Sequence, residues 1–341
     1  MRYLKNKLRE LFVKRETLVF IILTLIILLC GAFNRDFIRI NNLLGILVSS
    51  LILIMLSVGE TFVIITKGID VSVGAIMGLS AVCMGMVANI NSEISYFVAI
   101  LVGLSAGAIN GFGISTIGIP PIIMTLGTMG LYRGLMPIIT GGSWVDSVPQ
   151  SIKIIAQIKV FNINLFIIIV FFIILISMLI LRFFSITKSF YAVGGNEEGA
   201  FNLGISVRAT KFFAYLISGF FASIAAIIFV SQLSFIPMNA GSGEEMRAIA
   251  SSVLGGVSLS GGVGTPISST IGAIFLTTIN SVLIFLKVPS YWNDAIAGAI
   301  LIAIVLSDYR VRKYLEDMRK RARFSSVRIK SKIEKISRSA K

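Results

Sequence analysis

Residues 190–208 read FYAVGGNEEGAFNLGISVR. They lie between two long apolar halves and form the one polar interruption that carries both a helix start and a helix stop. Asn196 suits an N-cap, and Glu197 and Glu198 put carboxylates in the first turn, where unpaired amide hydrogens and the helix dipole favour negative charge. Gly204 suits the left-handed residue that ends a helix. The spacing predicts a helix of about two turns, too short to stand alone in water. It needs a surface to dock on. That surface is either the protein's own bundle or a groove on a cytoplasmic partner, which Ala200, Phe201 and Ile205 would enter. From this stretch alone, a capped surface turn without a partner is an equal reading.

Outward from this loop, composition sets the class. Hydrophobic residues make up 56% of the 341 and charged residues 14%. Many apolar runs are long enough to cross a bilayer, so the chain is predicted to be an all-α polytopic membrane protein. The first run, 17–32, follows basic residues but lacks a small-residue cleavage site, so it reads as a span and not as a signal peptide. Cys30 and Cys83 fall in apolar runs and read as packing residues. Without a single His, the commonest metal ligand and proton relay is missing, and neither a metal site nor a catalytic constellation is expected.

Charge orients the chain. Lys and Arg gather at the start, in the middle loop (Arg182, Lys188, Arg208, Lys211) and beyond Asp308, where thirteen occur. By the positive-inside rule both termini and the middle loop are expected in the cytoplasm, which requires an even number of crossings. About ten fit: near 17–33, 43–66, 70–90, 95–117, 121–140, 163–183, 212–233, 246–259, 266–286 and 291–307. The outward connections then fall near 33–42, 91–95, 141–162, 236–245 and 287–290. The span at 246–259 is short and rich in Ser and Gly, as in a broken or re-entrant helix. The expected organisation is one transmembrane domain over 1–341, with spans across 17–307, a cytoplasmic coupling loop at 185–211 and a basic cytoplasmic tail at 308–341. That tail is expected to meet anionic lipid headgroups and not nucleic acid.

A weak internal repeat links the halves. Val71-Ser72-Val73-Gly74 has a counterpart in Ser258-Leu259-Ser260-Gly261, and Gly107-Ala108-Ile109-Asn110 in Gly272-Ala273-Ile274 with Asn280. Copies five spans apart run in opposite directions, and inverted repeats of this kind build transport pathways. Chance likeness among small-residue helices is the alternative. Glu60, Lys67, Asp70, Arg133, Arg247 and Asp294 are costly against lipid and are expected to face the bundle or a cavity. Lys67 and Asp70 are close enough to pair with each other. Ser72, Asn110, Thr125, Thr128, Ser260, Asn280 and Asn293 offer hydroxyls and amides to a small polar solute. Trp144, Tyr291 and Trp292 suit belt positions at the outer interface. No GxxxxGK[ST] loop occurs, so ATP hydrolysis by that route is excluded for this chain.

Four segments carry a resemblance: TKGIDVSVGAIMGLSAVC (66–83), GAINGFGISTIGIPPIIMTLGTMGLYRGL (107–135), YAVGGNEEGAFNLGIS (191–206) and SVLGGVSLSGGVGTP (252–266). Together they resemble the permease subunits of ABC-type importers for ribose, xylose and related sugars, over nearly the whole chain. The segments at 131–150, 234–251 and 288–302 are more similar to the C-type permeases that import autoinducer-2, a small furanosyl signal; rhamnose importers are similar too. The resemblance implies a multi-pass protein of the bacterial inner membrane that pairs with a second permease, either itself or a sister chain. It implies an ABC ATPase subunit docking from the cytoplasm, a soluble extracytoplasmic binding protein, and ATP used by that ATPase, with no cofactor on this chain. The family's coupling helix falls on Asn196 to Gly204, making Gly195, Asn196, Glu197, Glu198, Gly199, Ala200, Gly204 and Ile205 the expected contacts to the ATPase. Gly199 departs from the commoner Ala. Asp70, Ser72, Asn110, Thr125, Asn280 and Asn293 are the expected solute-pathway residues. A secondary transporter run by an intramembrane carboxylate such as Glu60 or Asp70, and a non-transporting scaffold, are the rival classes.

Overall fold

The computed structural model describes residues 15–289 and, beyond them, 292, 295–296, 298–299 and 302. The expected span at 291–307 lies almost wholly outside the described residues, and Asn293, Asp294, Tyr291 and the tail at 308–341 lie outside them altogether. The chain divides into compact units at 1–297 and 298–341, and the fold below is that of the first.

Among the described residues there are twelve α-helices: α1 (Arg15–Phe33), α2 (Ile40–Ile65), α3 (Val73–Ala88), α4 (Ser92–Phe112), α5 (Pro121–Thr140), α6 (Gln150–Gln157), α7 (Leu165–Phe183), α8 (Ser185–Gly195), α9 (Glu197–Asn202), α10 (Val207–Gln232), α11 (Glu244–Gly255) and α12 (Pro266–Phe285). Seven of these, counting α4 with the π-helical turn Gly113–Ile117 that extends it, are long and apolar enough to cross a membrane. The only sheet among the described residues is a hairpin, Lys159–Val160 against Ile163–Asn164.

Two of the expected spans are short helices, and the one near 246–259 is short and broken as its Ser and Gly content implies. The segment near 246–259 is the 12-residue α11, a length of about 18 Å against a hydrocarbon core of about 30 Å. It ends at Gly256, in the left-handed conformation, and cannot cross alone. The segment near 70–90 starts its helix only at Val73, and the 16-residue α3 is buried along almost its whole length. Both are inner helices wrapped by longer ones, which explains how they tolerate broken ends. Of the repeat segments, 71–74 leads into α3 and 258–261 lies before α12, while Gly107–Asn110 lies near the end of α4 and Gly272–Ile274 in the first half of α12.

The centre of the bundle is a backbone contact. α4 and α10 form the most extensive helix pair, and a Cβ at Gly219 would lie 2.2 Å from the Gly103 carbonyl oxygen and 2.9 Å from the Gly107 Cα. Small residues let two helix backbones touch where apolar burial alone gives no drive, since lipid is as apolar as the side chains. Gly219→Leu is therefore expected to cost at least the ~1–3 kcal/mol of ordinary overpacking. Thermal unfolding of the detergent-solubilised protein checks this; Gly127→Ala, whose new methyl meets nothing within 4 Å, does not lower the midpoint and is expected to raise it slightly through helix propensity.

Candidate functional site: a capped loop helix and a buried polar network

The loop that opens the sequence folds as its signals require. α8 and α9 are separated by Asn196, whose extended backbone (φ −158°, ψ 106°) ends one helix and begins the next. Its side-chain oxygen accepts the Gly199 N–H at 3.0 Å. At the far end Gly204 has φ 79°, and the N–H groups of Gly204 and Ile205 donate to the carbonyls of Phe201 (2.9 Å) and Ala200 (3.0 Å), a Schellman closure. Glu197 is tied back to Lys211 at 2.8 Å, while Glu198 is exposed. Ala200 is buried, contrary to its expected place on the partner-facing side. The exposed apolar side chains are Phe201 (71%) and Leu203 (81%). The sequence reading passed over Leu203 because α9 is too short for a face to show in its spacing.

α8 is clamped beneath. Phe190 is buried and meets Phe62 of α2 edge-on at 5.9 Å. The Tyr191 hydroxyl donates to the Gly264 carbonyl at 2.8 Å, and burial pushes its phenol pKa up, so it keeps the proton it donates. Gly194 lies directly on the end of α2: a Cβ there would stand 1.7 Å from the Ile65 carbonyl oxygen. That carbonyl accepts the Gly262 N–H at 2.8 Å. The 190–208 loop, the C-terminus of α2 and the 256–265 turn thus meet at one point, and the Glu16 carboxylate of α1 accepts from Thr265 at the end of that turn (3.4 Å) and from Ser268 in the first turn of α12.

Just past Ile65 the chain leaves helical geometry until Val73. Backbone groups freed inside a bilayer have no water to turn to and must be paired by protein. Three successive N–H groups here are paired by side chains. Asp70 N–H donates to Glu60 Oε1 (3.0 Å), Val71 N–H to Thr125 Oγ1 (3.2 Å) and Ser72 N–H to Asp70 Oδ1 (3.0 Å). The network then spreads across three helices. Ser72 Oγ donates to Asp70 Oδ1 (2.6 Å), Asn110 Nδ2 of α4 to Ser72 Oγ (2.8 Å), Thr128 Oγ1 of α5 to Asn110 Oδ1 (2.7 Å) and Ser218 Oγ of α10 to Asp70 Oδ2 (2.9 Å). Glu60, Asp70, Ser72, Asn110, Thr125 and Ser218 all have no exposed surface.

Four of the six expected pathway residues, Asp70, Ser72, Asn110 and Thr125, are therefore brought together, bonded to one another and to the backbone. Asn280 is half-buried on α12, away from this network, and Asn293 lies outside the described residues. Lys67 and Asp70 do not pair. Lys67 takes a left-handed backbone (φ 63°) with its side chain exposed, and that turn sends Asp70 inward to the hydroxyls of Ser72 and Ser218. Arg133 instead pairs with Glu245 at 2.8 Å, and Arg247 with Glu244 at 2.6 Å. The roles of Glu60 and Ser218 were not legible. Neither has a short-range partner in sequence, and only the crossing of α2 and α10 brings them to the turn.

A family model described as branched-chain amino acid transport system / permease component matches residues 42–305, which span both the docking loop and the network. The chain belongs to this permease family. It is 41% identical over 317 residues to the autoinducer 2 import system permease protein LsrC of Yersinia enterocolitica, covering 92% of this chain and 88% of that protein. It is 42% identical over 321 residues to the proteins of the same name from Yersinia pestis and Yersinia pseudotuberculosis, covering 93% of this chain and 91% of theirs. No solved structure matches it. The permease is thus a multi-pass membrane component of a transport system, and its capped helix α9 and buried network both lie in the part that the family model matches.

Thr125→Val keeps the side-chain shape and removes the oxygen that accepts the Val71 N–H, a hydroxyl that itself donates to the Pro121 carbonyl at 2.9 Å. The expected loss is about 1–3 kcal/mol for each buried group left unpaired. A lower unfolding midpoint than Thr116→Val, whose hydroxyl meets only Ser115, is the measurement that checks it.

Proposed function

We propose that this chain is the permease of an ABC importer that brings autoinducer-2, or a closely related small furanose, into the cytoplasm. The single observation that carries the coupling mechanism is the docking helix: capped at both ends, locked to the bundle by Gly194, and presenting Phe201, Leu203 and Glu198 outward. Exposed large apolar residues on a short, fixed, polar-flanked helix fit a partner groove. The substrate reading is supported by the names of the similar Yersinia permeases.

In this reading the basic loop and both termini face the cytoplasm, and two ATPase subunits grip the docking helices of two permeases. ATP is bound and hydrolysed by the ATPases. Closing of the ATPase pair displaces α8 and α9, and with them the end of α2 and the 256–265 turn. The 66–72 turn hinges there, held by its polar network, and the pathway passes from outward-open to inward-open. Such coupling requires only that the two states differ in contact energy at the docking helix. The second permease is this chain or a sister chain, and a binding protein delivers the solute from outside. Asp70, Ser72, Asn110 and Thr125 serve the hinge in this scheme, Gly195 through Ile205 serve the docking, and Asn280 stays a pathway candidate.

Uptake of labelled autoinducer-2 and labelled rhamnose into cells carrying the complete transporter tests the reading. Phe201→Asp, Leu203→Asp and Glu198→Arg are expected to lower copurification of the ATPase by about tenfold or more, as for loss of an interface anchor, and to stop uptake with the permease still in the membrane. Rhamnose uptake alone would replace the substrate and keep the mechanism. Unchanged uptake by the three verified variants would remove the docking assignment.

A further inference from the structure

The end of the molecule opposite the docking loop carries a cavity. The two long loops there are bound to each other: Val145 and Ile236 exchange backbone hydrogen bonds at 3.1 and 3.0 Å, and Trp144 stacks on Phe235 at 5.3 Å. The second loop then lies flat on α3, where a Cβ at Gly241 would stand 2.0 Å from the Gly74 carbonyl oxygen and one at Gly78 would stand 2.2 Å from the Ala240 carbonyl oxygen. Behind this strap, between α2, α10 and the first turn of α11, is a space of about 320 Å³. Its polar wall is Ser49, Asn239, Ser242, Glu244 and Arg247, and its apolar wall includes Phe229.

We propose that this cavity receives the transported solute on the outer side, and that it takes a small, neutral, polyhydroxylated molecule. The proposal rests on the importer reading above and adds where the solute first meets the permease. Size fits, since cavities for small ligands begin at about 300 Å³. Charge fits as well. Glu244 and Arg247 form a half-buried pair at 2.6 Å, so the wall offers a carboxylate acceptor and guanidinium donors with no net charge. An ion of either sign gains nothing from such a balanced pair, whereas ring hydroxyls meet both partners, with the amide of Asn239 and the hydroxyls of Ser49 and Ser242 beside them. The apolar wall suits the C–H face of a ring. The wall is also held in place: Glu245, next to Glu244, is fixed to Arg133 of α5, which anchors the start of α11.

The buried network at Asp70 offers no such surface. Its members are buried and none lines this cavity.

The test uses the full transporter in membranes, with Cys30 and Cys83 replaced by Ala and a single cysteine introduced as Ser242→Cys or Ser49→Cys. A membrane-impermeant maleimide added from outside is expected to label both positions, and binding protein loaded with autoinducer-2 or rhamnose is expected to slow labelling about fivefold or more relative to unloaded binding protein. Arg247→Gln is expected to change the ratio of uptake rates for the two solutes, which a purely structural loss would not do. Failure of both cysteines to label from outside, or labelling indifferent to the loaded binding protein, would overturn the proposal. Protected labelling in a transporter that takes up neither solute would keep the cavity and overturn the importer reading instead. If Ser242→Cys does not reach the membrane, Ser49→Cys on the facing wall decides alone.

Discussion

The structure depends on one constraint: a chain that breaks its helix inside a membrane must supply every hydrogen-bond partner itself. Between Ile65 and Val73 three consecutive N–H groups are bare of helical partners, and Glu60, Thr125 and Asp70 each take one. Those side chains come from α2, α5 and the turn itself, and the bonds continue into α4 and α10. The break therefore dictates which helices surround it. α3 can begin part-way along because its exposed start is enclosed, and for the same reason it is buried almost throughout.

A second consequence concerns rigidity. Gly194 has no room for any side chain against the Ile65 carbonyl, and the same carbonyl accepts Gly262 N–H. A contact of backbone on backbone has no rotamers through which to absorb displacement. The 190–208 loop is thereby packed rigidly on the end of α2, a few residues before the turn stitched by Asp70. Interior packing transmits strain when it lacks slack, and this junction is built without any.

The two ends of the permease differ in surface chemistry. At one end are exposed aromatic and aliphatic side chains on a capped helix, suited to a protein groove. At the other are balanced charges, an amide and hydroxyls around a cavity, suited to a small solute. A family description naming branched-chain amino acids and relatives named for autoinducer 2 import are compatible, because one fold can host sites for different solutes.

The sequence by itself determined the class, the helices α1, α2, α4, α5, α7, α10 and α12 within a few residues, and the short helix α9 with both its caps. Each is a local property: apolar length sets a span, and Asn196, Glu197 and Gly204 act within one or two turns of their own backbone. It also marked Asp70, Ser72, Asn110 and Thr125 as polar residues that had to face inward, since lipid forbids the alternative. Tertiary structure alone decided what they bond to. The separations from Glu60 to Asp70, from Asp70 to Ser218 and from Thr125 to Val71 are set by helix crossings that no short-range pattern encodes. The same holds for the pairing of Arg133 with Glu245, for the shortness of α11, and for Leu203 in place of Ala200 on the docking face, because burial of a side chain depends on what arrives from elsewhere in the chain.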